Sequence, residues 1–176
     1  MKKVMVSGCF DLLHSGHIEF LKSASSYGNL YVFIGSDSNI KKLKNHDASF
    51  NQNERLFILK SIKYVYHAEI SSGEGHLDFS EDLKKLKPDF FIVNEDGDSD
   101  EKRQLCNKYN VEYIVLSRVP KEGLPARSST QLKENNNLPY RLCLAGGWMD
   151  QPFVNSIQPG SVVTIQIKPF SPEKDT

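Results

Sequence analysis

Cysteine is scarce: the 176 residues contain three, Cys9, Cys106 and Cys143. They lie too far apart for a zinc-ligand pattern and are too few and odd in number for a disulfide framework. This fits a reducing compartment, read here as the cytoplasm. An excess of either charge is also missing, since Lys plus Arg and Asp plus Glu both number 22. That balance removes the basic signature of a nucleic-acid binder and the acidic signature of a tail or cation store, and it favours a small-molecule partner. No long apolar run is present near the start. After Met1-Lys2-Lys3 the apolar stretch reaches only Val6 before Ser7-Gly8 and then Asp11, far short of a signal-peptide core or a bilayer crossing. Neither a targeting segment nor a membrane partner is expected. No Gly-x-Gly-x-x-Gly follows any strand-like run, which sets a dinucleotide oxidoreductase low.

The hydrophobic fraction of 39% and charged fraction of 25% suffice for one compact domain with a small appendage. Runs rich in branched and aromatic residues recur at Lys3 to Ser7, Leu30 to Gly35, Tyr64 to His67, Phe90 to Val93 and Glu112 to Leu116. Between them, His17 to Tyr27, Asn53 to Ile62, Phe79 to Leu86 and Asp100 to Tyr109 carry apolar residues at helical spacing. Near-continuous apolar strands alternating with helices predict an α/β fold: a Rossmann-like, doubly wound, five-stranded parallel sheet covered on both faces. Ligands of such sheets bind outside the carboxyl ends of the strands.

One such end carries the densest chemistry. Ser7-Gly8-Cys9-Phe10-Asp11-Leu12-Leu13-His14-Ser15-Gly16-His17 joins the first strand to a helix opening near Gly16. A glycine directly after a strand lets the backbone turn closely past a ligand. The helix start then aims unpaired N–H groups and a positive dipole end at an anion. His14 and His17 are three apart, so a helical turn would place both imidazoles on one side. As donors they stabilise the charge that builds on a phosphorus centre during displacement. Taken without context, the same pair equally suits half a metal site or two surface residues.

The full string resembles the Gly-Thr-Phe-Asp-x-x-His-x-Gly-His signature of the cytidylyltransferase-like nucleotidyltransferases, with Cys9 in place of the commoner Thr. The resemblance assigns Gly8, Cys9, Phe10, Asp11 and Gly16 to nucleotide binding and His14 and His17 to catalysis. It implies a lysine before a mobile loop that reaches the triphosphate, and Lys44 stands there. Asn45 and Ala48-Ser49-Phe50 replace the glycine and Arg-Pro pair usual in that loop. Asn53-Glu54-Arg55 followed by Ile62 to Val65 resembles the family's Glu-Arg helix and the strand it feeds. Glu54 and Arg55 read either as functional groups or as a helix opening, with a buried arginine–carboxylate pair at an element junction.

The acidic segment Val93-Asn94-Glu95-Asp96-Gly97-Asp98-Ser99-Asp100 departs most from the family pattern. It is either a charged surface turn or, through Asn94 and Asp96, an acceptor of ribose hydroxyls or a base amino group. His67 and His76 flank a Gly- and Ser-containing loop and read as solvated residues. In Pro125-Ala126-Arg127-Ser128-Ser129-Thr130-Gln131-Leu132-Lys133, three hydroxyl residues between cations form a second anion site at a helix start. This segment resembles the family's Ile-Ser-Thr-Thr run, which holds the leaving pyrophosphate end.

The expected organisation is a nucleotidyltransferase domain over 1–133, a linker over 134–139 and a β-strand appendage over 140–176. The appendage resembles the first strand pair of GHMP-type sugar kinases, whose phosphate loop is absent. The implied reaction transfers a nucleoside monophosphate from CTP or ATP to a phosphorylated small molecule, a sugar or polyol phosphate, and releases pyrophosphate. Mg²⁺ is the implied cofactor, with no metal-ligand set assigned, and Lys44 and Arg127 join the histidines as catalytic candidates. A non-catalytic nucleotide-binding or assembly module is the competing expectation. The sequence leaves monomer or homodimer open.

Overall fold

The computed structural model describes residues 1–134, 140–145 and 163–167. The chain divides into two compact units, Met1–Ser129 and Thr130–Thr176. The first holds β1 (Lys3–Gly8), α1 (Ser15–Ser25), β2 (Asn29–Ile34), α2 (Asp37–Lys44), α3 (Gln52–Lys60), β3 (His67–Ile70), α4 (Ser80–Leu86), β4 (Phe90–Asn94), α5 (Asp100–Lys108) and β5 (Glu112–Leu116). These five strands form one parallel sheet in the order β3-β2-β1-β4-β5. The expected α/β Rossmann-like architecture is thus the observed one. The chain begins in the middle of the sheet, so the switch in strand order falls beside β1, where such sheets open a ligand crevice.

Alternation along each strand feeds two cores. Val4, Val6, Val32, Ile34 and Ile92 pack on one face with Leu21 and Ala24 of α1 and Leu59 of α3. Met5, Phe33, Phe91 and Val93 pack on the other with Phe79, with Leu83 of α4 and with Cys106 of α5. Cys106 is fully buried, which pushes its thiol up to about 12. Both faces are apolar because both are covered, which is why the strands read as continuous hydrophobic runs. Among the described residues no helix is long and apolar enough to cross a membrane.

One strand is displaced from its expected position. Tyr64 to His67 reads as the third strand, but β3 occupies His67–Ile70. Ile62 and Val65 instead pack under the turn that follows α3, and the Tyr66 N–H reaches Leu30 O at 2.9 Å just before β3 pairs with β2. Their apolar character serves the turn rather than a strand. The lysine cluster at 41–44 lies on a helix, α2, exposed to solvent.

The second unit contains β6 (Tyr140–Ala145) and β7 (Val163–Ile167), paired antiparallel from Tyr140↔Ile167 to Ala145↔Val163. α6 (Ser129–Glu134) spans the division between the units. Of the expected linker over 134–139, Glu134 ends α6, leaving 135–139, and the Gly146 to Asp150 part of the kinase-like segment follows β6 in the chain. Both lie outside the described residues.

The carboxyl edge of the sheet is tied together by one side chain. Arg55, in the first turn of α3, has no exposed surface. Its guanidinium donates to Phe50 O at 3.0 Å, Cys9 O at 2.6 Å, Gly35 O at 2.9 Å and Asp37 Oδ1 at 2.7 Å. These acceptors come from the loop after β1, the end of β2, the start of α2 and the turn before α3. The planar fork satisfies several backbone carbonyls at once, which an ammonium cannot do. Arg55→Met should therefore destabilise the protein by about 3 kcal/mol or more, because several charge-assisted hydrogen bonds are lost and Asp37 keeps its charge. Arg55→Lys should recover only part of this. Urea unfolding of the two variants checks both expectations.

Candidate functional site

The site is built on the turn between β1 and α1. Phe10 and Leu12 both adopt left-handed backbone, with φ of 48° and 50°. For bulky residues this conformation costs about 1–3 kcal/mol each and persists only where surrounding contacts over-determine it. Three contacts do so here. Arg55 holds Cys9 O, the Asp11 carboxylate accepts from the Ser49 and Phe50 N–H groups at 3.0–3.1 Å, and Ser129 Oγ donates to Asp11 O at 3.0 Å. Gly8, expected to make the sharp turn, remains in β1 without a positive φ. The two residues around Asp11 make the turn instead, and Asp11 itself, 5% exposed, serves to fasten the 45–51 loop.

Both histidines act first as helix caps. His14 is the N-cap of α1, and its Nδ1 accepts from the Gly16 N–H at 3.1 Å. His17 Nδ1 accepts from the His14 N–H at 3.3 Å. A capping box normally uses hydroxyl and carboxyl oxygens for these two bonds; here imidazoles do both. Because each Nδ1 is an acceptor, each neutral ring carries its proton on Nε2, turned away from the helix. The rings lie against each other, tilted by 38° with centroids 4.0 Å apart, and Phe10 packs on His17 at 5.6 Å. Gly16 is needed for this arrangement, since a Cβ there would lie 3.0 Å from the His14 ring.

Electrostatics keep the pair neutral. Burial first, then the His14 ring and the Arg118 guanidinium, lower His17 to about 4. Burial, Arg118 and Arg127 push His14 down as well. Neither ring is then a strong base near neutral pH, and both present an N–H donor.

Beside the histidines lies a cavity of about 390 Å³, lined by residues that include Gly16, Phe20, Asn94, Leu116, Arg118 and Arg127. Arg118, two residues past β5, lines this cavity and donates to Asp96 Oδ2 at 3.0 Å and to Arg127 O. The structure therefore brings Gly16, Asn94, Asp96 and Arg127 to the histidine side. Phe10 is in the core and supports His17 rather than facing the cavity. Ser128 is half-buried beside Ser129, and Thr130 opens the second unit. Lys44 ends α2 on an exposed turn and makes no hydrogen bond or ion pair with the described residues. The next residue, Asn45, takes a left-handed conformation at φ 54°, a role for which asparagine is the usual alternative to glycine.

Sequence reasoning missed Arg118. The available signal was an arginine two residues past a strand, at the carboxyl edge where sheets of this type bind ligands. Burial of a neutral His17 carries a consequence for stability. The unfolded chain takes up a proton near pH 6.5 and the folded one only near 4, so stability is complete above pH 6.5 and falls as pH drops through that window. In His17→Gln the acid-side loss between pH 6.5 and 4 should shrink, as measured by thermal unfolding across pH; an unchanged profile would contradict a neutral buried His17.

Comparison with known proteins matches this geometry. A family model described as cytidylyltransferase-like covers residues 5–135. An FAD synthase from Pyrococcus horikoshii is 37% identical over 126 residues, spanning 68% of this chain and 83% of that protein. A glycerol-3-phosphate cytidylyltransferase from Staphylococcus aureus is 31% identical over 136 residues, spanning 76% and 94%. Among solved structures, a lipopolysaccharide core biosynthesis protein from Thermoplasma volcanium superposes with a TM-score of 0.58 at 27% identity, covering 69% of this chain and 99% of that one. A strand-to-helix turn capped by paired histidines at the centre of a 3-2-1-4-5 parallel sheet, with this match over most of the chain, places the protein in the cytidylyltransferase-like family of nucleotidyltransferases.

Proposed function

We propose that the protein transfers a nucleoside monophosphate from CTP or ATP to a phosphorylated small molecule, a sugar or polyol phosphate. The carrying observation is the capped histidine pair, whose two Nδ1 atoms are consumed as acceptors and whose Nε2–H groups remain as donors. A phosphate oxygen of the acceptor attacks the α-phosphorus, the bond from that phosphorus to the bridging oxygen of the β-phosphate breaks, and pyrophosphate leaves with the electron pair. No protein nucleophile is required. His14 and His17 stabilise the charge on the transferred group by hydrogen bonding, while Arg118 and Arg127 hold the leaving phosphates, with Ser128 and Ser129 beside them. On nucleotide binding Arg118 exchanges its Asp96 partner for phosphate oxygen. Asn94 and the released Asp96 then face the nucleoside. Lys44 approaches the triphosphate only through movement of the exposed end of α2 and the loop after it.

Among the described residues no group of three or more His, Cys, Asp or Glu side chains converges as a metal site would. A resident Mg²⁺ does not fit, and in this reading Mg²⁺ belongs to the nucleoside triphosphate substrate. The transfer machinery lies within residues 1–133, so a chain ending at Lys133 should retain most turnover. Loss of turnover in that shortened, still folded chain would place part of the site in the second unit.

The decisive assay is pyrophosphate release from CTP and ATP against a panel of phosphorylated sugars, polyols and amino alcohols. His14→Ala and His17→Ala should each lower turnover by about a hundredfold or more, since one preorganised donor to the developing charge is worth about that factor. Arg118→Met should raise the KM for nucleotide more than that for acceptor. Near-normal turnover in both histidine variants would overturn the mechanism.

A further inference from the structure

Lys102 stands where a lysine is least expected. It is half-buried in the first turn of α5, a turn that opens with Asp100 and Glu101. The N-terminal turn of a helix favours acidic side chains over cations, and lysine is among the residues least often buried. Burial lowers the affinity of this ammonium for its proton, against the opposing pull of nearby carboxylates. Two unfavourable placements meet in one residue, and some contact has to offset them. Among the described residues Nζ makes a single hydrogen bond, donated to Gly97 O at 2.6 Å, and it forms no ion pair.

Gly97 ends the short helical turn Glu95–Gly97 that follows β4. That turn is weakly held from within. The Asp98 N–H reaches Glu95 O at 3.4 Å, and the Lys102 N–H reaches the capping Ser99 Oγ at 3.4 Å as well. Both are longer than the roughly 2.7–3.2 Å of a well-formed N–H···O bond. Asn94, which precedes the turn, makes no side-chain capping bond. Beyond the turn, Asp98 is held by Arg103 and by Tyr113 Oη. The turn itself has one short tether on its backbone, the bond from the Lys102 ammonium to the Gly97 carbonyl.

Asp96 is the side chain that this turn presents. Its carboxylate accepts from Arg118 Nη1 at 3.0 Å, and Nη2 of the same guanidinium donates to Arg127 O. Both arginines line the cavity beside the histidines. The pair is exposed, with 36% of the Arg118 and 63% of the Asp96 side-chain surface accessible, and pairs of that kind contribute up to about 1 kcal/mol. Such a pair is too weak to set the position of the backbone that carries it. It is also weak enough for a phosphate to displace, once it has brought the guanidinium to the cavity. Control therefore runs from Lys102 to Gly97, from the turn to Asp96, and from Asp96 to Arg118.

We propose that Lys102 is a positioning residue for nucleotide binding: by holding Gly97 O it sets where Asp96 stands, and so where Arg118 is presented to the phosphates of an incoming nucleoside triphosphate. Lys102 itself touches no substrate. The inference rests on the nucleotidyl-transfer reading above for the identity of the ligand, and its test is read by binding so that the two can fail separately.

Binding of CTP and of ATP, each with Mg²⁺, is measured by calorimetry on the full chain. Lys102→Met should raise the nucleotide Kd by about fivefold or more, and Lys102→Arg, which keeps a long cationic donor, should stay within about twofold of wild type. In an Asp96→Asn background the same Lys102→Met change should move the Kd by less than about twofold, because the link through which Lys102 acts is already cut. Lys102→Gln, whose amide falls short of the Gly97 carbonyl, carries the cycle if the methionine variant does not fold. A nucleotide Kd within about twofold of wild type in Lys102→Met or its glutamine substitute overturns the proposal. An equal loss with and without the Asp96 carboxylate also overturns it, marking a lysine that serves the fold alone. The expected pattern in a protein from which no phosphorylated acceptor releases pyrophosphate upholds the positioning role and overturns the transfer reading instead. Failure to bind either nucleotide overturns both.

Discussion

The buried guanidinium of Arg55 is the interaction on which the rest of the carboxyl edge depends. Parallel sheets end in loops, and loops at a ligand crevice carry backbone carbonyls with no ladder partner. Here three of those carbonyls, on Cys9, Gly35 and Phe50, accept from one fork, and Asp37 supplies the compensating charge. Desolvating a cation is costly, and here the cost is offset by hydrogen bonds from its Nε and both terminal nitrogens and by the Asp37 carboxylate. Asp37 in turn exchanges two bonds with Gln52 at 3.0 Å, joining the starts of α2 and α3. The turn bearing the histidines is thereby fixed relative to β2 and to the loop after α2.

On that frame, capping α1 and orienting the two imidazole donors are the same contacts. The bonds that satisfy the first N–H groups of α1 also select the tautomer of His14 and His17. Helix stability and donor orientation therefore cannot be separated by evolution or by mutation at Gly16, where any side chain would press on the His14 ring. The left-handed Phe10 and Leu12 fit the same logic. Their strain is held by the Asp11 carboxylate and by Ser129, so the loop after α2 and the first residue of α6 are both fastened to one aspartate.

The acidic segment after β4 shows how misleading composition can be. Read as sequence, its carboxylates suggest either a solvated turn or a set of hydroxyl acceptors. Folded, they are partners: Asp96 for Arg118, Asp98 for Arg103 and Tyr113. The cations come from positions 5 and 22 residues further on, brought there by α5 and by the parallel pairing of β4 with β5. Local charge thus reports on distant arginines, and the cavity beside the histidines is lined by Arg118 although its own segment looked unremarkable.

The sequence by itself determined the sheet, the helices that cover it and the strand-to-helix turn that carries the histidines. Each of these is written in local period, in apolar runs and in one dense motif, and β5 occupies Glu112–Leu116, the run expected for it. Family membership was legible for the same reason, because the His14 to His17 spacing is short-range. The third strand was misplaced because apolar residues under a turn look like apolar residues in a strand until the edge pairing is known. Only tertiary structure decided that Arg55 is a buried tie, that Asp11 fastens a loop and that Arg118 lines the cavity beside the histidines. Each of those roles is set by groups 18 to 46 residues away or more, and a side chain's chemistry at such a distance depends on strand order and crossover, which no local pattern encodes.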